Sequence, residues 1–259
     1  MKYTQLIRAI YRRSAGLNGT RVKEALVFAL YGGFFEKRTQ DASYGSEEAA
    51  EYNPTRENTA AWIAETEVMG RFLDKLPLGM AVLDTPFGTG RYVDLYLRKG
   101  YSIVGLDKSE AMIKIAEETF AARPNAYSVL IGDIRNLPFS DHSFDLVVCS
   151  RFLPHIVNYQ TALLALAEIS RVTRRYAIVQ LGERPTDAYR LRRPRADEKM
   201  GTWLYPNEIE EMLAGFGFCV LEKSEVVHDG VTIGRHYYRN PPGWRFYLCE
   251  NSILHRVNE

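Results

Sequence analysis

The chain has 259 residues, 46% of them hydrophobic and 25% charged, and carries a formal net charge of +1. That length buries a full core without disulfide or metal staples, and the near-neutral charge excludes the strongly basic balance of a dedicated nucleic-acid binder. Cys149, Cys219 and Cys249 lie far apart with no paired spacing, which argues against a disulfide framework or a metal site and for a reducing, cytoplasmic setting.

Residues 1–78 read as a helical extension without strand alternation. The start, MKYTQLIRAIYRRSAG, lacks the apolar core of a secretory signal. The run ALVFALYGGFF at 25–35 falls well short of the ~20 residues that span a bilayer. Eight Lys or Arg against two acids fall in the first 40 residues, interleaved with apolar stretches. Three readings of residues 1–38 stay open: a helical lid, a homodimer contact, or peripheral contact with an anionic membrane surface.

From residue 79 onward short apolar runs alternate with helical patterns. AVLD (81–84) precedes a helix that Gly100 stops, and YSIVGLD (101–107) precedes a helix capped by Ser109, with Met112, Ile113, Ala116 and Phe120 on one face. YSVLIGD (127–133) and FDLVVCS (144–150) follow, then the helix QTALLALAEISRV, the strand YAIVQL (176–181) and the helix NEIEEMLAGFG (207–217). FCVLEKSEVV and WRFYLCENSI are the last two strands, and their non-helical link implies an antiparallel ending. The expected fold is α/β and doubly wound. It has a mainly parallel seven-stranded sheet with antiparallel C-terminal strands and an N-terminal helical extension. The domain proper is 79–259, with an insert at 182–206. Ligands of such sheets bind beyond the carboxyl ends of the strands, at the switch point.

The stretch LDTPFGTGRY (83–92) lies at that end of the first strand. Without a Gly-Lys-Ser or Gly-Lys-Thr it is not a P-loop. Val93 stands where a dinucleotide fingerprint needs its third Gly, which weakens that reading. An acid at the strand end repels a pyrophosphate but attracts an ammonium, and N–H groups at Gly88 to Gly90 suit a carboxylate.

LDTPFGTG resembles the first motif, acid-x-Gly-x-Gly-x-Gly, of the class I S-adenosylmethionine-dependent methyltransferases, with Pro86 in place of the first Gly. The resemblance covers residues 79–220. It implies S-adenosylmethionine as cofactor, its amino-acid end framed by Asp84, Thr85, Pro86, Gly88 and Gly90, with Asp84 opposite the ammonium. It puts Asp107 on the ribose hydroxyls, with Lys108 and Met112 in the stretch along the adenine. Asp133 then accepts from the adenine amino group with Ile134 beside the ring, and Ser150 begins the segment facing the transferred methyl.

His155 is the candidate general base or substrate contact; a structural role as a helix cap is its alternative. Arg151 and Phe152 are expected to line the same pocket, and Tyr52 in AAEYNPTR to close over the cofactor. In the insert, Arg184, Arg190 and Arg192, with Arg193 and Arg195, suit an anionic acceptor, or else form a solvated loop paired with Asp187, Asp197 and Glu198. NPPGW (240–244) reads as a turn. The expected activity is methyl transfer to O or N of a small anionic acceptor: a sugar, a glycolipid or a phosphorylated metabolite. RNA methylation, a catalytically inactive binding protein on the same fold and an NAD(P) oxidoreductase stay open as rivals.

Overall fold

The computed structural model describes residues 45–123, 125–155, 159–183, 203–225 and 243–252. The extension contributes α1 (Ser46–Ala50), α2 (Tyr52–Arg56) and α3 (Ala60–Asp74). There follow β1 (Ala81–Asp84), α4 (Val93–Arg98), β2 (Ser102–Asp107), α5 (Glu110–Thr119), β3 (Ser128–Ile131) and β4 (Phe144–Cys149). Then come α6 (Tyr159–Val172), β5 (Thr173–Glu183), β6 (Trp203–Leu204), α7 (Pro206–Gly215), β7 (Phe218–Lys223) and β8 (Gly243–Asn251). Among the described residues no helix is long and apolar enough to cross a membrane.

The sheet runs β3-β2-β1-β4-β5-β8-β7, with β6 beside the end of β5. Strands β1 to β5 are mutually parallel, and β8 lies antiparallel between β5 and β7. This is the expected seven-stranded sheet. The two-residue β6, pairing Gly182 with Trp203, adds an eighth strand too short to leave a pattern in the sequence. Chain order reverses between β1 and β4, so the crevice at their carboxyl ends is the topological switch point.

Strand alternation sorts the core into two layers. Val82, Leu146, Val148, Ile178 and Phe246 face one side, where Val68, Met69, Phe72 and Leu73 of α3 cover them. Leu83, Val147, Cys149, Val179 and Tyr247 face the other, against Leu166 and Ile169 of α6 and Ile209 and Leu213 of α7. Local signals behave as read. Ser109 Oγ accepts from Met112 N at 3.2 Å, and the four predicted face residues of α5 and its end are buried. Gly100 follows α4 with φ 68° and donates its N–H to Leu97 O.

Candidate functional site

The period of two that builds the first layer also builds the site. Asp84, Ser150 and Gln180 continue the face of Val82, Val148 and Ile178 to the carboxyl edge of the sheet, on the α3 side. The chain leaves β1 through a cis Thr85–Pro86 peptide and turns on Gly88 and Gly90, whose φ values of 57° and 75° only glycine adopts readily. A Cβ at Gly90 would also stand 3.0 Å from Phe120.

Asp107, at the end of β2, is tied to this turn. Its Oδ2 accepts from Gly88 N at 2.7 Å and its Oδ1 from Ser109 N at 2.8 Å. Burial raises its pKa, and the N–H donors of Ser109, Gly88 and Lys108 hold the rise back. Gly88 N donates to Asp107 and Gly90 N to Phe87 O. Asp84 is 2% exposed and accepts from Tyr96 Oη at 3.1 Å; burial raises its pKa well above the ordinary aspartate value. Asp133 is clamped by the guanidinium of Arg135, which lowers its pKa. Ile134 is buried and packs in the second core layer, and Met112, also buried, brings its methyl to within 3.8 Å of where a Cβ at Gly88 would sit.

A polar hub absent from the sequence reading joins the extension to this edge. Glu65 of α3 is fully buried, and its Oε2 accepts from Arg91 Nη1 at 2.6 Å and from Arg151 Nε at 2.8 Å. Its Oε1 accepts from Gln180 Nε2 at 2.8 Å. Gln180 Oε1 in turn accepts from Arg151 N at 2.7 Å. Arg91, directly after Gly90, stacks 3.8 Å over the Trp62 ring and donates to Trp62 O and Thr66 Oγ1. Tyr92 Oη and Ser150 Oγ lie 3.1 Å apart. A signal for the hub exists in the sequence: Glu65 interrupts the apolar stripe of Val68, Met69 and Phe72 on α3, and Gln180 interrupts the apolar run of β5.

Of the remaining predicted residues, Arg151 belongs to this hub and Tyr52 packs beside it. Arg151 adopts φ 53°, and its guanidinium lies 5.9 Å from the Trp62 ring centroid and 5.6 Å from that of Trp244. Burial works against its charge, but Glu65 outweighs it and raises the pKa. Phe152 packs against the second core layer. His155, exposed in the 3₁₀ turn Leu153–His155, meets Trp244 edge-on at 4.6 Å. Trp244 belongs to strand β8, as the reading of WRFYLCENSI as the last strand expects, and to this edge; the reading of NPPGW as a turn is corrected at Gly243, which opens the strand, while 240–242 lie outside the described residues. Tyr52 packs edge-on to Trp62, and its neighbour Asn53 accepts from Thr89 Oγ1 at 2.8 Å, so α2 touches the glycine turn. Arg184, Arg190 and Arg192, with the basic segment 1–38, lie outside the described residues.

The residues present fit S-adenosylmethionine. Thr85 Oγ1, beside the glycine turn, is buried without a hydrogen-bond partner among the described residues, a demand that a polar ligand group meets. A carboxylate offers roughly four acceptor sites, so Asp107 retains capacity for a ribose hydroxyl beyond its N–H donors.

Residues 83–179 match the family model for a methyltransferase domain. Demethylmenaquinone methyltransferase of Thermobifida fusca (strain YX) is 32% identical over 108 residues, covering 41% of this chain and 46% of that protein. An O-methyltransferase of Aspergillus nomiae is 31% identical over 134 residues, 50% of this chain and 59% of that protein. The chain thus spans about half the length of these curated relatives. The methyltransferase CcbJ from Streptomyces caelestis superposes with a TM-score of 0.63 at 15% identity, over 83% of this chain and 100% of that one, a likeness of fold. The glycine turn at the β1–β4 reversal and the acids at the ends of β1 and β2 all fall within the matched segment, and that segment belongs to the class I, S-adenosylmethionine-dependent methyltransferases.

Proposed function

We propose that the chain transfers a methyl group from S-adenosylmethionine to an oxygen or nitrogen of a small, anionic acceptor. The observation that carries this reading is the Gly88–Asp107 bond of 2.7 Å, which brings the acid suited to a ribose onto the turn suited to an amino-acid tail. When bound, the cofactor supplies a methyl already activated by its sulfonium. The protein's task is then alignment, which supplies roughly 7–11 kcal/mol of a barrier of this kind. Asp107 anchors the ribose and Thr85 Oγ1 the amino-acid end. Asp133, turned toward Arg135 here, serves the adenine side. The extension acts as a lid, touching the turn through Asn53–Thr89 and Glu65–Arg91. His155, exposed beside Trp244, takes the proton that the acceptor loses as its new bond to carbon forms.

Calorimetric titration with S-adenosylmethionine, S-adenosylhomocysteine and NADH tests the cofactor. The two sulfur compounds are expected to bind, and Asp107→Ala to weaken them by about 1.5–3 kcal/mol for the lost charged hydrogen bond. Uptake of NADH in their place would overturn the reading. Once a screen of carboxylated, phosphorylated and glycosylated metabolites has supplied an acceptor, His155→Ala is expected to lower kcat by about 10²–10⁴ while S-adenosylhomocysteine affinity holds. An unchanged kcat would remove His155 as the base.

A further inference from the structure

Arg151 combines features that a structural arginine does not need. Its backbone sits at φ 53°, a left-handed conformation that costs a side-chain-bearing residue of order 1–3 kcal/mol and persists only when its surroundings hold it. Two contacts do so here: Arg151 N donates to Gln180 Oε1 at 2.7 Å, and Nε donates to Glu65 Oε2 at 2.8 Å. Both use the inner edge of the residue. The outer edge, Nη1 and Nη2, has no partner among the described residues, and 14% of the side-chain surface is open.

Among the described residues, Arg91 and Arg151 share the single carboxylate of Glu65, two guanidinium groups on one acid in a largely buried place. Asp84 and Asp107, also buried on this side of the sheet, are tied instead to Tyr96 and to the backbone N–H groups of Gly88 and Ser109. A guanidinium with its Nε fixed presents a flat two-donor fork, the geometry that grips a carboxylate bidentately. The indole rings of Trp62 and Trp244 both lie within 6 Å of the Arg151 guanidinium carbon, and each is only partly covered. Flat rings beside a flat fork favour a ligand whose body is coplanar with its anion.

We propose that Arg151 is the acceptor-recognition residue and that the acceptor is a conjugated or aromatic carboxylate, its carboxylate held by Nη1 and Nη2 and its planar body lying against Trp62 and Trp244. Glu65 is the positioning residue that aims the fork. This inference rests on the methyl-transfer reading for the word acceptor, and its test is separable from that reading.

The probes are benzoate, the uncharged shape-match benzamide, and inorganic phosphate. They are titrated into the full chain carrying Trp203→Phe, so that the fluorescence reports Trp62 and Trp244. Benzoate is expected to quench saturably and to bind at least about tenfold more tightly than benzamide. Arg151→Gln should weaken benzoate by about tenfold or more and leave benzamide unchanged. Arg151→Lys, which keeps the buried charge but not the fork, should fall between the two, and it decides the matter if Arg151→Gln does not fold. No saturable benzoate signal, equal binding of benzoate and benzamide, or unchanged benzoate affinity in the variants overturns the proposal. Phosphate binding more tightly than benzoate overturns the planar class. Calorimetry with S-adenosylhomocysteine on the same preparations separates the two readings. Cofactor binding with benzoate failure sinks this inference alone, and benzoate binding without cofactor uptake sinks the methyl-transfer reading alone.

Discussion

Asp84 and Asp133 are the same residue type at the same end of one sheet, yet their surroundings push them in opposite directions. Burial drives the Asp84 pKa up, eased by the Tyr96 hydroxyl; Arg135 drives that of Asp133 down. For Asp84 the protonated form is the one favoured by folding. Its stabilising contribution is present below the ordinary value of 3.8 and is lost as pH rises through the elevated folded value. Asp133 has the reverse sign: its contribution is present above that ordinary value and disappears as pH falls through the lowered one. With 31% of its side chain exposed, Asp133 is screened by solvent and salt, so Asp84 dominates. Thermal melts of the unliganded protein should thus show a Tm that falls as pH rises above the ordinary aspartate value of 3.8. Asp84→Asn, which keeps an acceptor for Tyr96, should flatten that slope and raise Tm at the alkaline end; a slope unchanged in the variant would remove Asp84 as its source.

Helix α3 shows why two changes in one element differ in consequence. Thr59 caps it, accepting from Trp62 N at 3.2 Å in an exposed place, so Thr59→Ala should cost about 1 kcal/mol. Glu65, six residues on, holds two buried guanidinium groups; Glu65→Ala leaves both uncompensated and should cost about 3–5 kcal/mol. Urea unfolding at neutral pH measures both, and equal costs would mean that the hub is solvated. The contrast also marks what the sequence disclosed. The strand-end acids and the glycine turn are local patterns, legible because strand, turn and cap chemistry are set by near neighbours. So were the N-cap at Ser109 and the stop at Gly100. The hub was not, because Glu65 meets Arg91 26 residues away, Arg151 86 away and Gln180 115 away. No spacing rule connects such partners; only the sheet order brings them together. A Glu on an apolar helical stripe was the visible trace. The place of Trp244 in the site was missed for the same reason, since its neighbour His155 follows β4, with β5 between that strand and β8 in the sheet order.

At the scale of the molecule, the hub and the shared first layer tie α3 to the sheet, and the two are expected to unfold together. Far-UV circular dichroism and the fluorescence of Trp62, isolated by Trp203→Phe and Trp244→Phe, should report one coincident urea transition. An earlier fluorescence transition would show α3 to be merely docked. The position of β8 has a consequence of another kind. It fills the gap between β5 and β7, and Asn251 Nδ2 reaches back to Thr173 O, 78 residues away along the chain. Pairings of such separation form late, because loop closure precedes their reward. Until residues 243–251 leave the ribosome, β5 presents an open edge of apolar strand and β7 lacks the neighbour it pairs with. The nascent chain is therefore most exposed to misassociation after its cofactor-binding half has been made, and the strand that carries Trp244 to the site is also the one that ends that exposure.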